Sequence, residues 1–240
     1  MAAIPVHHPQ IPTRDRLIYA LDVADLASAR SAIRQLGEQV THYKIGLELL
    51  SSGGYFELLA ELRAAGKRVF ADLKLHDIPA TVAAAVAGMA RHQPDLLTVH
   101  AYPAAIAAAA PRAGAMRLLA VTVLTSISAA ELAASGVQGE AADVVAARAR
   151  AAIAAGAHGL VCSGQEAARL RRELGSAPLI VCPGIRASAG GDDQARTVTV
   201  TEAFLAGADY IVVGRPIRQA PDPAAAAAAI QDTLASLFGS

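Results

Sequence analysis

The sequence predicts an α/β protein of the (β/α)8 TIM barrel class, and three observations support this. Short apolar runs alternate with longer Ala- and Leu-rich stretches of helical composition, and the alternation repeats eight times in 240 residues. The apolar runs are continuous, as expected for strands buried on both faces of a parallel sheet. No glycine-rich turn follows the first run, which ends Ala20-Leu21-Asp22-Val23, so the open doubly wound sheet is the less favoured alternative.

Each element of the barrel can be placed from this pattern. The candidate strands are 17–22, 42–45, 69–74, 96–100, 118–124, 159–162, 179–182 and 210–213. The candidate helices are 26–36, 55–65, 80–91, 104–110, 142–155, 165–174, 200–206 and 223–237, several of which end at a glycine. Because no internal linker interrupts the pattern, we expect one barrel domain over 15–240, preceded by a flexible N-terminal extension over 1–14.

Charge and composition argue against several function classes. Lys+Arg and Asp+Glu number 21 each, a balance that argues against a general binder of nucleic acids or membrane surfaces. No window is apolar enough for a membrane span, and residues 1–16 lack the apolar core of a signal peptide. Cys162 and Cys182 lie in apolar runs, where we interpret them as buried side chains in a reducing compartment. We therefore expect a soluble, cytoplasmic protein.

The most informative motif lies at the end of the third candidate strand and reads Asp72-Leu73-Lys74-Leu75-His76-Asp77. Side chains of a strand alternate between its faces, so Asp72 and Lys74 are predicted to point the same way. Together with Lys44 and Asp77 they form a row of alternating charge that suits a proton donor, Lys74, flanked by carboxylates. A purely structural ion network and a divalent metal site are the alternatives, and the two lysines argue against the metal.

In a barrel of this class the active-site groups lie at the carboxyl ends of the strands. Charged or hydrogen-bonding residues end nearly every candidate strand, namely Asp22, Lys44, Asp72, Lys74, His100, Thr125, Ser126, Arg186, Gly214 and Arg215. Gly214 and Arg215, with Arg186, match the phosphate site that barrels place after their last two strands. The polar segment 187–196 is long enough for a lid, in which Gln194 would supply an amide. His100 either lines the site or satisfies a buried backbone group.

Together, these residues resemble the bacterial form of the orotidine 5′-phosphate decarboxylases. The resemblance rests on Leu21-Asp22, Tyr43-Lys44-Ile45-Gly46, Asp72 to Pro79, Val121 to Ser126, Pro183-Gly184-Ile185-Arg186, Asp193-Gln194 and Gly214-Arg215. It extends from the first strand to the eighth. The combination is specific, whereas the Asp-x-Lys-x-x-Asp motif alone also occurs in related barrels that act on sugar phosphates.

The resemblance implies decarboxylation of orotidine 5′-phosphate to uridine 5′-phosphate, the last step of de novo pyrimidine synthesis, without a metal or an organic cofactor. Lys74 would protonate C6 of the pyrimidine, and Asp72 would lie near the departing carboxylate. The family forms homodimers, in which Asp77 and Thr81 would reach the partner's site. The remaining substrate contacts would come from Asp22 and Lys44 at the ribose, Thr125 at the pyrimidine edge, and Arg186, Gln194, Gly214 and Arg215 at the phosphate.

Two rival functions remain open at this point. The first is a metal-dependent decarboxylase or aldolase of sugar phosphates on the same barrel, against which Thr125, Gln194 and the Pro-Gly-Ile-Arg segment argue. The second is a non-catalytic nucleotide-binding protein, whose expected mark is the loss of a motif charge. No motif charge is lost in this chain.

Overall fold

The computed structural model describes residues 8–186 and 198–239, and within them eight parallel strands close into one barrel. These strands are β1 (Leu17–Ala20), β2 (His42–Gly46), β3 (Arg68–Leu75), β4 (Leu96–His100), β5 (Arg117–Val121), β6 (Gly159–Val161), β7 (Leu179–Pro183) and, after two short strands, β10 (Tyr210–Val213). The two short strands, β8 (Ile185–Arg186) and β9 (Val198–Thr199), pair in a separate sheet. Because β10 pairs with β1, the predicted (β/α)8 barrel is confirmed.

Helices connect the strands on the outside of the barrel. They are α1 (Leu26–Leu36), α2 (Leu47–Ser51), α3 (Tyr55–Ala64), α4 (Pro79–Ala90), α5 (Pro103–Ala109), α6 (Ala129–Ala134), α7 (Ala141–Ala154), α8 (Gly164–Leu174), α9 (Val200–Leu205), α10 (Arg215–Arg218) and α11 (Pro223–Phe238). The 3-10 helices are Thr13–Arg16, Gly37–Gln39 and Ala110–Arg112. No helix in the described part of the chain is both long and apolar enough to cross a membrane.

The core has an inner and an outer layer. Ile18, Phe70, Leu119 and Val181 belong to a buried cluster to which no helix contributes, so this cluster fills the barrel interior. The alternate strand positions pack against the helices in a second cluster. Burial on both faces explains why the strands are continuous apolar runs.

The segment before β1 closes the amino-terminal end of the barrel. Ile11 is buried against the inner cluster. The Arg16 guanidinium donates hydrogen bonds to the carbonyl oxygens of His8 at 2.9 Å and Asp209 at 3.2 Å. Residues 1–7 lie outside the described residues, and the predicted flexibility of 1–14 stays a prediction.

The fifth strand is shorter than its apolar run suggests. Its last pairing joins Val121 to Val161, where β6 ends. Beyond that pair the Thr122 carbonyl oxygen has no strand neighbour and accepts a hydrogen bond from Arg148 at 2.8 Å. The predicted strand end at residue 124 is therefore wrong, and Thr125 lies in the loop after β5.

Candidate active site

Four charged side chains meet at the carboxyl ends of the first three strands. Lys44 Nζ lies 2.8 Å from Asp22 Oδ1 and 3.5 Å from Asp72 Oδ2. Lys74 Nζ lies 2.7 Å from the same Asp72 Oδ2. Every ion in this row, from Asp22 to Lys74, has a neighbour of opposite sign. We call these four residues the mouth network. It contains three of the four residues predicted for the charge row, Lys44, Asp72 and Lys74, with Asp22 in the place of Asp77.

Lys74 reaches Asp72 through an irregularity in β3 and not through regular alternation. The pairing of β3 with β4 jumps from Ala71–Leu97 to Leu75–Val99, so three residues of β3 face the single residue Thr98. Lys74 has φ +48°, in the left-handed region that is strained for a residue with a Cβ. Such strained backbone often lies at functional sites, because the surrounding structure must hold it in place.

The mouth network keeps Asp72 ionised. Burial of this carboxyl would by itself raise its pKa, but the attraction of Lys44 and Lys74, with hydrogen bonds from Lys74 and Thr98, outweighs burial and lowers the pKa below its ordinary value. The side chains of Asp72 and Lys44 are only 11% and 12% exposed, whereas that of Lys74 is 30% exposed. Lys74 is therefore the more accessible ammonium of the network.

Gly46 leaves space directly above the mouth network. A Cβ at this position would lie 3.5 Å from the Asp72 carbonyl oxygen, 3.6 Å from Lys44 Nζ and 3.9 Å from Asp22 Oδ1. A longer side chain would crowd these groups. The glycine in the Tyr43-Lys44-Ile45-Gly46 motif therefore keeps the network open.

Asp77, the last residue of the motif, is exposed and lies outside the mouth network of its own chain. Its Oδ1 accepts a hydrogen bond from the Ile78 backbone N–H at 2.6 Å, and within the described residues it forms no ion pair with Lys74. Asp77 and Thr81 are both exposed, and Ile78 between them is 66% exposed. The fold thus brings Asp22, Lys44, Asp72 and Lys74 together and leaves Asp77 and Thr81 at the surface.

Two of the predicted phosphate residues, Gly214 and Arg215, lie directly after β10. Gly214 follows the strand and Arg215 is the exposed first residue of α10. A Cβ on Gly214 would approach Ala20 Cβ to 3.2 Å, so glycine allows α10 to lie close to β1. Arg218, which the sequence analysis did not single out, donates a hydrogen bond to the Asp22 carbonyl oxygen and connects α10 to the mouth network.

Several predicted residues are only partly placed. The backbone of Arg186 lies in β8, while Gln194 and the whole predicted lid 187–196 fall outside the described residues. Thr125 is partly exposed in the loop after β5. No group of three His, Cys, Asp or Glu side chains among the described residues is arranged to hold a metal ion.

His100 ends β4 beside the motif loop. Its ring lies 5.2 Å from that of His76, which stacks on Tyr102 at 4.5 Å. Burial, together with the positive charge of Lys74 and the neighbouring His76, lowers the pKa of His100. Whether His100 lines the site or satisfies a buried backbone group stays a prediction.

Thr98 was not predicted as a site residue, yet it contacts two residues of the motif. Its hydroxyl donates to Asp72 Oδ1 and accepts from the Lys74 backbone N–H, both at 2.9 Å. The available signal was a polar residue inside the apolar run Leu96-Leu97-Thr98-Val99, two positions before His100 and therefore on the same face of the strand.

Comparisons with known proteins agree with this geometry. Residues 15–230 match the orotidine 5′-phosphate decarboxylase / HUMPS family. The chain is similar to the orotidine 5′-phosphate decarboxylase of Xanthomonas campestris pv. campestris (strain 8004), with 54% identity over 231 residues that cover 94% of this chain and 95% of the relative. The enzyme of Stenotrophomonas maltophilia (strain K279a) is 53% identical over 231 residues, covering 94% and 96%.

Solved structures show the same relationship. A crystal structure of orotidine 5′-phosphate decarboxylase from Lactobacillus acidophilus superposes with a TM-score of 0.81 at 32% identity, covering 94% of this chain and 100% of that one. An uncharacterized conserved protein from Geobacillus kaustophilus has a TM-score of 0.78 at 33% identity, covering 91% and 99%. The chain therefore belongs to the orotidine 5′-phosphate decarboxylase / HUMPS family.

Proposed function

We propose that the chain is a carboxy-lyase that converts orotidine 5′-phosphate to uridine 5′-phosphate in pyrimidine biosynthesis, with Lys74 as the proton donor to C6. The observation that carries the proposal is the Lys74 ammonium, 2.7 Å from the buried Asp72 carboxylate and partly exposed at the barrel mouth. When the bond from C6 to the carboxylate breaks, the electron pair stays on C6, where it is not conjugated with the ring. A fixed ammonium stabilises this charge and then transfers a proton to it.

In this mechanism Asp72 holds the ammonium in place and remains charged beside the substrate. The ionised carboxylate repels the substrate carboxylate, and departure of CO2 removes the repulsion. Lys44 limits the cost of burying Asp72, because it lies 3.5 Å from the same oxygen. After turnover, Lys74 regains its proton from solvent.

Substrate binding is assigned to groups around the mouth network. Asp22 and Lys44 would hold the ribose hydroxyls, and Thr125 would contact the pyrimidine edge. The phosphate would be bound by Gly214 and Arg215 together with Arg186 and Gln194. The assignment of the phosphate site is supported by α10, because Arg215 is exposed at the start of this helix and Arg218 connects the helix to Asp22. Binding energy gained at the phosphate would help to order the charged groups near C6.

The active form is proposed to be a homodimer that shares its sites. Asp77 and Thr81 are exposed on the loop and helix that follow β3, and large apolar side chains are exposed nearby in the chain segments after β2, β3 and β4. They are Leu47, Leu50, Phe56, Ile78 and Tyr102. Exposed apolar side chains in these segments favour association with a second copy, which would bring Asp77 and Thr81 to the partner's mouth network.

Metal independence and a cytoplasmic location complete the proposal. The mouth carboxylates are already paired with two lysines, which compete with a cation for the same oxygens. Two buried free cysteines fit a reducing compartment. The decisive assay follows turnover of orotidine 5′-phosphate by its absorbance change, with and without EDTA. Steady turnover that EDTA leaves unchanged is expected.

The same assay separates the alternatives. Activity that is lost in EDTA and restored by magnesium would favour a metal-dependent sugar-phosphate enzyme. Binding of uridine 5′-phosphate without any turnover of the substrate would favour a non-catalytic nucleotide-binding protein.

Shared sites can be tested with mixed dimers of Lys74→Ala and Asp77→Ala subunits. Random mixing of equal amounts makes about half of the dimers mixed, each with one intact site, so activity should recover to about one quarter of the wild-type value. Mixing Lys74→Ala with Asp72→Ala subunits is the matched control, because no intact site can form. Recovery in neither mixture, with mixed dimers shown to form, would refute the shared site.

A further inference from the structure

We propose that Thr98 is a positioning residue for the reaction, whose hydroxyl holds the Asp72 carboxylate and the Lys74 backbone in their working arrangement. The inference rests on the proposed roles of Asp72 and Lys74 and adds a residue to which neither the motif nor the family resemblance assigns a role.

The hydrogen-bond directions at Thr98 are fixed by chemistry. The Lys74 backbone N–H can only donate, so the Thr98 oxygen accepts from it at 2.9 Å. The single hydroxyl hydrogen is then free to be donated to Asp72 Oδ1, also at 2.9 Å. The other carboxylate oxygen, Oδ2, accepts from Lys74 Nζ at 2.7 Å. The Lys74 backbone N–H, the Thr98 hydroxyl, the Asp72 carboxylate and the Lys74 ammonium thereby form a closed ring of hydrogen bonds.

The register of the sheet explains why a hydroxyl is needed at this position. Three residues of β3 face Thr98 alone, so the ladder between β3 and β4 is interrupted there. Lys74 sits in this irregularity at φ +48°. Thr98 is fully buried, and its oxygen takes the place of the missing strand carbonyl as acceptor for the Lys74 N–H. Without the hydroxyl the buried N–H would have no partner, and the strained conformation would lose a restraint.

The charged surroundings of Asp72 define what the hydroxyl contributes. The ionisable groups that face this carboxyl are Lys44 on β2, Lys74 on β3 and the Tyr55 hydroxyl of α3, with His100 at the end of β4 next to Lys74. The two ammonium groups act on one side of the carboxylate, through Oδ2. Thr98 is the donor to the other oxygen, so it fixes the rotation of the carboxylate as well as supporting its charge.

Substitution of Thr98 by Val removes the hydroxyl and keeps the shape. We expect kcat to fall by about 10- to 100-fold, the usual range for losing a hydrogen bond to a charged group. KM and the affinity for uridine 5′-phosphate should change less than about threefold. Because the Thr98 hydrogen bond lowers the pKa of Asp72, its loss should move the acidic limb of the kcat–pH profile to higher pH.

Two companion variants make the result specific. Thr98→Ser keeps the hydroxyl and should restore both the rate and the pH profile. Thr41→Val is the matched control, since the Thr41 hydroxyl donates to Asp15 Oδ1 at 2.7 Å at the opposite end of the barrel, and it should leave the pH profile unchanged. If Thr98→Val does not fold, Thr98→Ala replaces it, because that variant also lacks the hydroxyl.

Titration of Asp72 by carboxyl NMR, in the absence of substrate, separates failure of this inference from failure of the proposed function. A higher pKa of Asp72 in the hydroxyl-free variant, together with restoration by serine, would support Thr98 even if the wild-type protein did not act on orotidine 5′-phosphate. An unchanged pKa and unchanged kcat in that variant would overturn the inference. A serine variant as impaired as the valine variant would also overturn it, since the methyl group and not the hydroxyl would then matter.

Discussion

The two ends of the barrel both carry ion pairs, but they use different groups and satisfy them differently. At the amino-terminal end, Asp95 pairs with Arg68 at 3.1 Å and also accepts the Val69 backbone N–H at 2.8 Å. At the carboxyl end, Lys44 and Lys74 share the Asp72 carboxylate, and the Lys74 ammonium is partly exposed. Asp95 uses both of its carboxylate oxygens within the fold, whereas the Lys74 ammonium at the carboxyl end keeps accessible surface beside a buried carboxylate.

The contrast is clearest for Asp209 and Arg171 at the amino-terminal end. The Asp209 side chain is 1% exposed and accepts both from Arg171 at 2.7 Å and from the Ile180 backbone N–H at 2.8 Å. The same guanidinium donates to the carbonyl oxygens of Gly207 and Pro178, each at 2.8 Å. A buried pair with these internal hydrogen bonds stabilises the fold. This agrees with the general division in such barrels, in which the amino-terminal end supports stability and the carboxyl end holds the active site.

The largest expected effect belongs to the carboxyl end. Lys74→Ala removes both the stabilising charge and the proton donor, so kcat should fall by at least about 10⁴-fold while uridine 5′-phosphate still binds. Single-turnover assays and equilibrium binding measure the two quantities. Lys67→Ala is a matched control, because Lys67 pairs with Glu38 at 3.1 Å away from the mouth. Retained turnover in the Lys74 variant would refute the assigned proton donor.

At the amino-terminal end the expected effect is on stability. Asp209→Ala leaves the Arg171 guanidinium buried without its carboxylate, which should lower the free energy of unfolding by about 3–5 kcal/mol. The folded fraction should keep its kcat. Urea titration with activity measured per folded molecule tests both statements. Asp143→Ala, which breaks an exposed pair with Arg169, should change stability little. A large loss of kcat at full folding of the Asp209 variant would contradict the separation of the two ends.

The phosphate site gives the next largest effect. Arg215→Ala should reduce kcat/KM by about 30- to 900-fold, equivalent to about 2–4 kcal/mol, because one partner of a charged contact is removed. Orotidine, which lacks the phosphate, serves as the control substrate. It should react equally poorly with the wild-type protein and the variant. An unchanged kcat/KM for the phosphorylated substrate would mean that the phosphate binds elsewhere.

The smallest effect in this series concerns pH and the amino-terminal end. His42 is fully buried, and burial lowers its pKa to about 4 from an ordinary value of 6.5. The unfolded chain therefore binds one more proton between these values, so stability falls as pH drops from about 6.5 to 4, by up to about 3 kcal/mol. Unfolding titrations across this range should show a weaker pH dependence for His42→Gln than for the wild-type protein. If the unfolding free energy of both proteins changed equally with pH, His42 would be excluded as the source of this pH dependence.

Sequence patterns predicted the barrel and three members of the mouth network, Lys44, Asp72 and Lys74, because buried strands and the residues at their ends can be read from local order. Continuous apolar runs indicate buried strands, and the spacing of Asp72 and Lys74 indicates a shared site. The irregularity at Lys74 could not be predicted, since it depends on how β3 and β4 pair, which no local pattern encodes. Thr98 was missed for the same reason, although its position in an apolar run was visible.

The short helices were missed for a different reason. The helices α2 and α10 span only Leu47–Ser51 and Arg215–Arg218, so they are too short to show a helical period. The helix α6 could have been found, because Ser128 and Glu131 form a capping box that is visible as a sequence motif.

The exposure of Asp77 outside the mouth network of its own chain bears on how the protein works at low concentration. Under the proposed arrangement, a single folded chain holds the proton donor but lacks one of the acidic groups beside it. Specific activity should then decline on dilution as subunits separate, because each active site would need charged groups from both chains.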